Sequence, residues 1–215
     1  MEATRFGVLG SGVVAQTLVR GLKNHGHEVR IGSRSERTLT DFSKASGIAA
    51  GTFADVAAWA EIVVLAVKGT AAESALRLAG AGNLRGKIVI DTTNPLADEA
   101  PVDGVLPFFT GPNESLMERL QAADPEARFV KAFNSVGNAV MVNPSFGGAR
   151  PTMFYCGNDA AAKKTVAGLL EQFGWEPADM GRATGARAIE PLCRLWCIPG
   201  FLENRWTHAF RLLRA

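Results

Sequence analysis

Tyrosine and histidine are scarce in this 215-residue chain, which carries one tyrosine, Tyr155, and three histidines, His25, His27 and His208. The residue four after Tyr155 is Asp159, so no Tyr-x-x-x-Lys acid–base pair exists. His25 and His27 precede an expected strand, at the sheet edge away from any strand-end site, and are expected at the surface. His208 is expected to pack or to face a partner, so no residue stands out as a general acid or base. Cysteine is also sparse: Cys156, Cys193 and Cys197 make an odd count, and the spacing of the last two matches neither CxxC nor a zinc ligand pattern. Buried reduced thiols, no metal site and a cytoplasmic location are expected. No apolar run approaches the roughly 20 residues that span a bilayer. "MEATR" leads straight into a strand with no basic and apolar leader pattern, so neither membrane nor secretory leader is expected. With 23 Lys and Arg against 21 Asp and Glu, the net charge of +2 and the lack of a basic stripe argue against nucleic acid.

What the chain has is a sizeable apolar fraction, 47%, arranged as short β-rich runs between helical segments. "RFGVLG", "HEVRIGS", "GIAAGT", "EIVVLAV", "KIVIDTTNP", "ARFVKA", "PTMFYCG" and "WEPADMG" read as strands. Helices are expected over 13–24, 36–46, 53–60, 71–78, 115–123, 159–173, 183–196 and 201–214. Continuous apolar strands separated by helices describe parallel strands covered on both faces. The expected fold is therefore α/β: a Rossmann-type doubly wound, mostly parallel sheet with a small C-terminal α/β extension. Residues 1–150 are read as the dinucleotide-binding domain and 151–215 as the extension. Residues 97–114, rich in proline, glycine and acid, read as a surface loop and candidate flap.

Gly10-x-Gly12-x-x-Ala15 stands between the first strand and the first helix, the setting in which a glycine fingerprint carries meaning. Gly10 permits the tight turn, Gly12 lets a pyrophosphate approach backbone, and Ala15 lets the helix pack close to the strand. In an NAD site an acid near the end of the second strand holds the ribose hydroxyls. Here that place reads Gly32-Ser33-Arg34-Ser35. Ser33 and Arg34, with Arg37 assisting, suit a 2′-phosphate, so NADP(H) is the expected cofactor. Lys68, Asn94 and Asn134 fall at strand ends near the expected nicotinamide. The amides align groups but shuttle no protons. Such a site suits alignment of two conjugated rings, nicotinamide and a flavin-type acceptor, whose own heteroatoms manage the charge.

"GVLGSGVVAQTL", "VRIGSRS", "IVIDTTNPL", "VKAFNSVG", "GARPTMFYCGND" and "GRATGARAIEPLCRLW" resemble, in order, the blocks of the F-420-dependent NADP oxidoreductase family. They are also similar to the cytosolic oxidoreductase domain of the six-transmembrane epithelial antigen of prostate metalloreductases. The resemblance implies Ser11, Gly12, Val13 and Val14 at the pyrophosphate and Ser33 and Arg34 at the 2′-phosphate. It implies Ala66, Val67 and Lys68 at the ribose and nicotinamide, with Asn94 and Pro95 beside them and Ala132 and Asn134 closing the ring side. Lys68 departs from the proline that well-studied members carry after Val67, which bears on the acceptor rather than on the NADP site. The implied reaction is hydride transfer between NADP(H) and deazaflavin coenzyme F-420. Alternatives are an NADPH-dependent flavin (FMN or FAD) or ferric reductase and a non-catalytic NADPH sensor. A β-hydroxyacid dehydrogenase, imine reductase or pyrroline-carboxylate reductase is disfavoured, because the 65 residues after Arg150 are too few for the helical domain of those enzymes. The aromatic and apolar residues Phe201, Leu202, Trp206, Phe210 and Leu213 are expected on a C-terminal helix that serves a homodimer.

Overall fold

The computed structural model describes residues 2–34 and 39–214. Arg37, expected to assist at the 2′-phosphate, lies outside the described residues. The elements follow in the order β1 (Arg5–Leu9), α1 (Val13–Asn24), β2 (Glu28–Ser33), α2 (Thr40–Ser46), β3 (Ala49–Thr52), α3 (Phe53–Trp59) and β4 (Ile62–Leu65). Next come α4 (Ala72–Ala79), α5 (Ala81–Leu84), β5 (Ile88–Asp91), α6 (Leu116–Ala123), β6 (Arg128–Lys131), β7 (Thr152–Gly157), α7 (Ala160–Gln172), β8 (Glu176–Asp179) and α8 (Ala186–Glu203). The strands form one eight-stranded sheet in the order β3-β2-β1-β4-β5-β6-β7-β8. β1 to β6 are parallel, β7 joins β6 antiparallel, and β8 runs parallel to β7. The doubly wound α/β fold is thus as expected, and β7 and β8 widen the same sheet.

The strands are apolar because both faces are covered. Side chains alternate across the sheet, so Ile62 and Val64 join one core while Val63 and Leu65 join the other. The first core takes Leu18 and Leu22 of α1 and Val166, Leu169 and Leu170 of α7. The second takes Val56 of α3, Leu76 of α4, Leu120 of α6 and Ile189 of α8. Gly7 on β1 makes room for α3, since a Cβ there would stand 2.8 Å from that of Ala60. Residues 97–114 fold back on themselves, with bridges Leu96–Phe108 and Val102–Val105.

Two expectations fail. No helix covers 201–214: α8 runs on to Glu203, ends at Asn204 in a left-handed conformation (φ 53°), and the following residues return in irregular conformation. Phe210 carbonyl accepts the Thr152 N–H at 2.9 Å, and Thr152 Oγ1 accepts from Leu212 N–H at 3.0 Å. The reason is steric and aromatic. Trp206 folds over Gly200, where a Cβ would lie 2.2 Å from its ring, and meets Trp196 at a centroid distance of 5.7 Å. Trp206 and Phe210 are thereby half-buried against the chain itself, while Phe201 stays exposed. The second failure is His27, which is buried (5% exposed) rather than superficial. Its ring packs edge-on to Phe6, and Nε2 pairs with Gln172 Oε1 at 2.9 Å. Burial follows because α7 crosses the base of the sheet there, a contact 145 residues away in the chain. His208 packs, stacking on Trp196 with ring centroids 4.9 Å apart.

Candidate functional site

At the C-terminal ends of β1, β2 and β4 lies a cavity of about 750 Å³. It brings together Gly10, Ser11, Gly12, Ser33, Arg34, Ala66, Val67 and Lys68, all singled out from the sequence. It also brings in Phe53, Thr70, Ala71, Ser74 and Ala75, which sequence reasoning missed. These last stand at the starts of α3 and α4, just past β3 and β4. Their signal is positional: in a parallel sheet the residues after each strand reach the same edge.

Local chemistry explains the glycine turn. Gly10 has φ +140°, and a Cβ there would meet Ala66 carbonyl oxygen at 2.1 Å, so no other residue fits. Gly12 is the N-cap of α1, and a Cβ on it would meet nothing within 4 Å. Among the described residues no side chain caps that helix, and no acid stands in its first turn, which leaves its N–H groups open at the positive end of the dipole. The charged residues lining the cavity are Arg34 and Lys68, and no carboxylate is among its described lining residues. Lys68 Nζ leans on Asp98 Oδ1 at 3.3 Å in the 97–114 loop, and Thr70 Oγ1 reaches Asp98 Oδ2 at 3.4 Å. Uncapped N–H groups, a Cβ-free approach and a cationic lining fit a phosphorylated dinucleotide.

The remaining expected residues lie elsewhere along the same sheet edge. Asn94 and Asn134 bind each other: Asn94 Nδ2 donates to Asn134 O at 2.8 Å and Asn134 Nδ2 to Asn94 Oδ1 at 3.0 Å. Asn134 Nδ2 also donates to Ile189 O of α8 at 3.0 Å, while its Oδ1 is buried without a partner. Pro95 is buried, and Ala132 is fully enclosed in the core beside Phe133. Phe133 holds φ +63°, a strained backbone for an aromatic residue, just before Asn134. Val13 is exposed on the first turn of α1. Val14 lines a second cavity, of about 340 Å³, with Val136, Gly137, Asn138, Ala139, Trp196 and Trp206. No titratable side chain is among its described lining residues.

Beneath the strand ends is a group that sequence reasoning did not find. Lys131, fully buried, sits between Asp91 Oδ2 at 2.6 Å and Glu190 Oε1 at 2.9 Å and donates to Thr93 O at 2.7 Å. Burial alone would lower its pKa, and the Asp91 and Glu190 carboxylates outweigh this and raise it. Cys156, opposite Lys131 on β7, has its thiol pushed up to about 12 by burial. The three cysteines are free, as expected. Cys193 donates to Cys197, which raises the donor's pKa and lowers the acceptor's.

The comparisons with known proteins agree with this geometry. Residues 5–95 match the family described as NADP oxidoreductase, coenzyme F420-dependent. A crystal structure of a candidate F420-dependent NADP-reductase from Arthrobacter sp. FB24 is 36% identical, with a TM-score of 0.92 over 99% of this chain and 100% of that one. Rat metalloreductase STEAP3 is 32% identical over 94% of this chain, which spans 39% of that protein's length. A reductive aminase from Aspergillus terreus, solved with NADPH, shares the fold alone: 16% identity and TM-score 0.68 over 94% of this chain and 63% of that one. The chain belongs to the F420-dependent NADP oxidoreductase family and is an NADP-dependent oxidoreductase. Among the described residues no helix is long and apolar enough to cross a membrane.

Proposed function

We propose that the chain transfers a hydride between NADP(H) and deazaflavin coenzyme F-420. The observation that carries this reading is the pairing of two cavities at one sheet edge, one cationic and one aromatic, the second without a titratable lining residue. In the proposal the N–H groups from Ser11 to Val14 hold the pyrophosphate, and Gly10 and Gly12 keep side chains out of its way. Ser33 donates to the 2′-phosphate and Arg34 pairs with it, assisted by Arg37. Ala66, Val67 and Lys68 line the ribose and nicotinamide, with Asn94, Pro95 and Asn134 on the ring side. Ala132, enclosed in the core, is given no contact.

When bound, NADPH supplies the hydride from its nicotinamide ring. The protein's part is proximity: Val14, Trp196 and Trp206 would wall a slot in which a planar acceptor stacks. The proton that accompanies the hydride goes to a ring nitrogen of the acceptor and comes from solvent, so no side chain has to titrate.

A second reading, an NADPH-dependent flavin or ferric reductase using FMN or FAD, is favoured by the likeness to rat STEAP3. The sensor reading falls, because the family is one of oxidoreductases. Stopped-flow mixing of NADPH-loaded protein with F-420, FMN, FAD or a ferric chelate separates the two that remain. F-420 is expected to react fastest; turnover only with flavin and ferric chelate would replace the first reading by the second. The proposal extends to a homodimer formed through Leu195, Phe201 and Leu202, which stay exposed on α8 after Trp206 has folded back. Sedimentation of a Leu195→Glu/Leu202→Glu variant as monomer, against a dimeric parent, is the expected outcome, and a monomeric parent would refute it.

A further inference from the structure

Three fully or almost fully buried ionic side chains cost more to desolvate than apolar residues of the same shape, so their presence calls for a reason beyond stability. The reason lies in where their bonds go. Asp91 Oδ1 accepts from Thr93 N–H at 2.9 Å and Thr93 Oγ1 at 2.7 Å, and Lys131 donates to Thr93 O, so the residue before Asn94 is held at N–H, hydroxyl and carbonyl. Glu190 on α8 accepts from Leu116 N–H at 2.9 Å and Met117 N–H at 3.0 Å, and so joins α8 to the start of α6. Lys131 joins that carboxylate to the sheet. Three residues on from Lys131, Asn134 binds Ile189 O, the neighbour of Glu190. The strained Phe133 is thus fixed on both sides, by the ion triad and by the α8 carbonyl.

We propose that Asp91, Lys131 and Glu190 are positioning residues that set the height of α8 and the aim of the Asn94–Asn134 pair. Through α8 they set the Trp196 wall of the acceptor cavity. The proposal rests on the acceptor reading above and goes beyond it by naming what holds the two cavities in register. The link is one of rigid elements: Glu190 and Trp196 share one helix, and Thr93 and Asn94 share one loop.

The test is the neutral, shape-retaining variant Asp91→Asn/Lys131→Met/Glu190→Gln. It keeps an acceptor for Thr93 and for one of the two α6 N–H groups, and removes the tie between them. The expected result is an NADPH Kd within about twofold of the parent and acceptor KM raised or kcat lowered at least tenfold. Hydrogen exchange is expected to quicken in 186–203 while 13–24 stay protected. A variant that melts lower but keeps both kinetic constants and the α8 exchange pattern would overturn the proposal, as would an equal loss of NADPH affinity. Should the triple variant not fold, Glu190→Gln alone carries the same comparison with an effect of about threefold on acceptor KM, and no change in KM, kcat or α8 exchange would overturn it. If the parent reduces none of the acceptors, the functional reading fails; the exchange comparison still decides whether the triad holds α8.

Discussion

Two helix N-termini stand at the same edge of the sheet, and the chain treats them oppositely. At α1 the N-cap is Gly12, with no side-chain cap and no acid in the first turn. At α6 the N-cap Ser115 accepts from Glu118 N–H, and the Glu190 carboxylate takes the next two donors, Leu116 and Met117. Both ends present the same four orphan N–H groups and the same dipole. One is satisfied from within the protein and so serves architecture. The other is left open, and the proposed function puts the pyrophosphate there. An N-terminus is therefore informative only when its partners are counted, and here the count separates an open end from a filled one.

Filling the open end is the strongest way to break that contrast. Gly12→Asp adds an N-cap that the helix favours and the surrounding space admits. Thermal stability is expected to hold or rise, while the Kd for NADPH, read by titration of its fluorescence, rises about 100-fold, or ~2.7 kcal/mol. Retained binding would mean that the phosphates lie elsewhere. Arg34→Asp sharpens the specificity half of the argument. It is expected to raise KM for NADPH more than tenfold, ~1.4 kcal/mol or more, while sparing NADH, and equal losses would give Arg34 another role.

Emptying the filled end gives a smaller effect on a different axis. Ser115→Ala is expected to cost ~1 kcal/mol in urea unfolding and to leave NADPH binding unchanged. A binding defect there would abolish the distinction between the two ends. The least effect concerns Cys156, packed with its sulfur 3.6 Å from Met117 Sδ of the filled helix. Its folded pKa, about 12, lies above the ~8.5 of an unfolded thiol, so the folded state keeps a proton that the unfolded chain loses. Its contribution to stability is therefore whole below ~8.5 and is lost as pH rises toward the folded value. Urea midpoints should be flat up to pH 8 and decline above it less steeply in Cys156→Ala. Iodoacetamide should spare Cys156 in the folded protein at pH 8, and rapid labelling would contradict its burial.

Legibility followed range along the chain. The turn from Gly10 to Ala15 was readable because a tight turn, a helix start and a close packing contact are local demands on local residues. Ser33 and Arg34 were readable because strand ends in a parallel sheet all open on one edge. Phe53 and Ser74 were not, since neither carries a charge or a motif to mark it. The tail was misread because the apolar spacing of Phe201, Leu202 and Trp206 fits a helix equally well. Only the groove over Gly200 decides against it.

By itself the sequence determined the alternation of strands and helices, the glycine turn and the lack of an acid at Ser33–Arg34, because each is written in neighbouring residues. Tertiary structure alone decided that Asp91, Lys131 and Glu190 meet, that His27 is buried and that Trp206 turns back onto α8. Those outcomes depend on contacts between distant segments, and a lysine, a histidine or a tryptophan carries no local mark of the partner it will find.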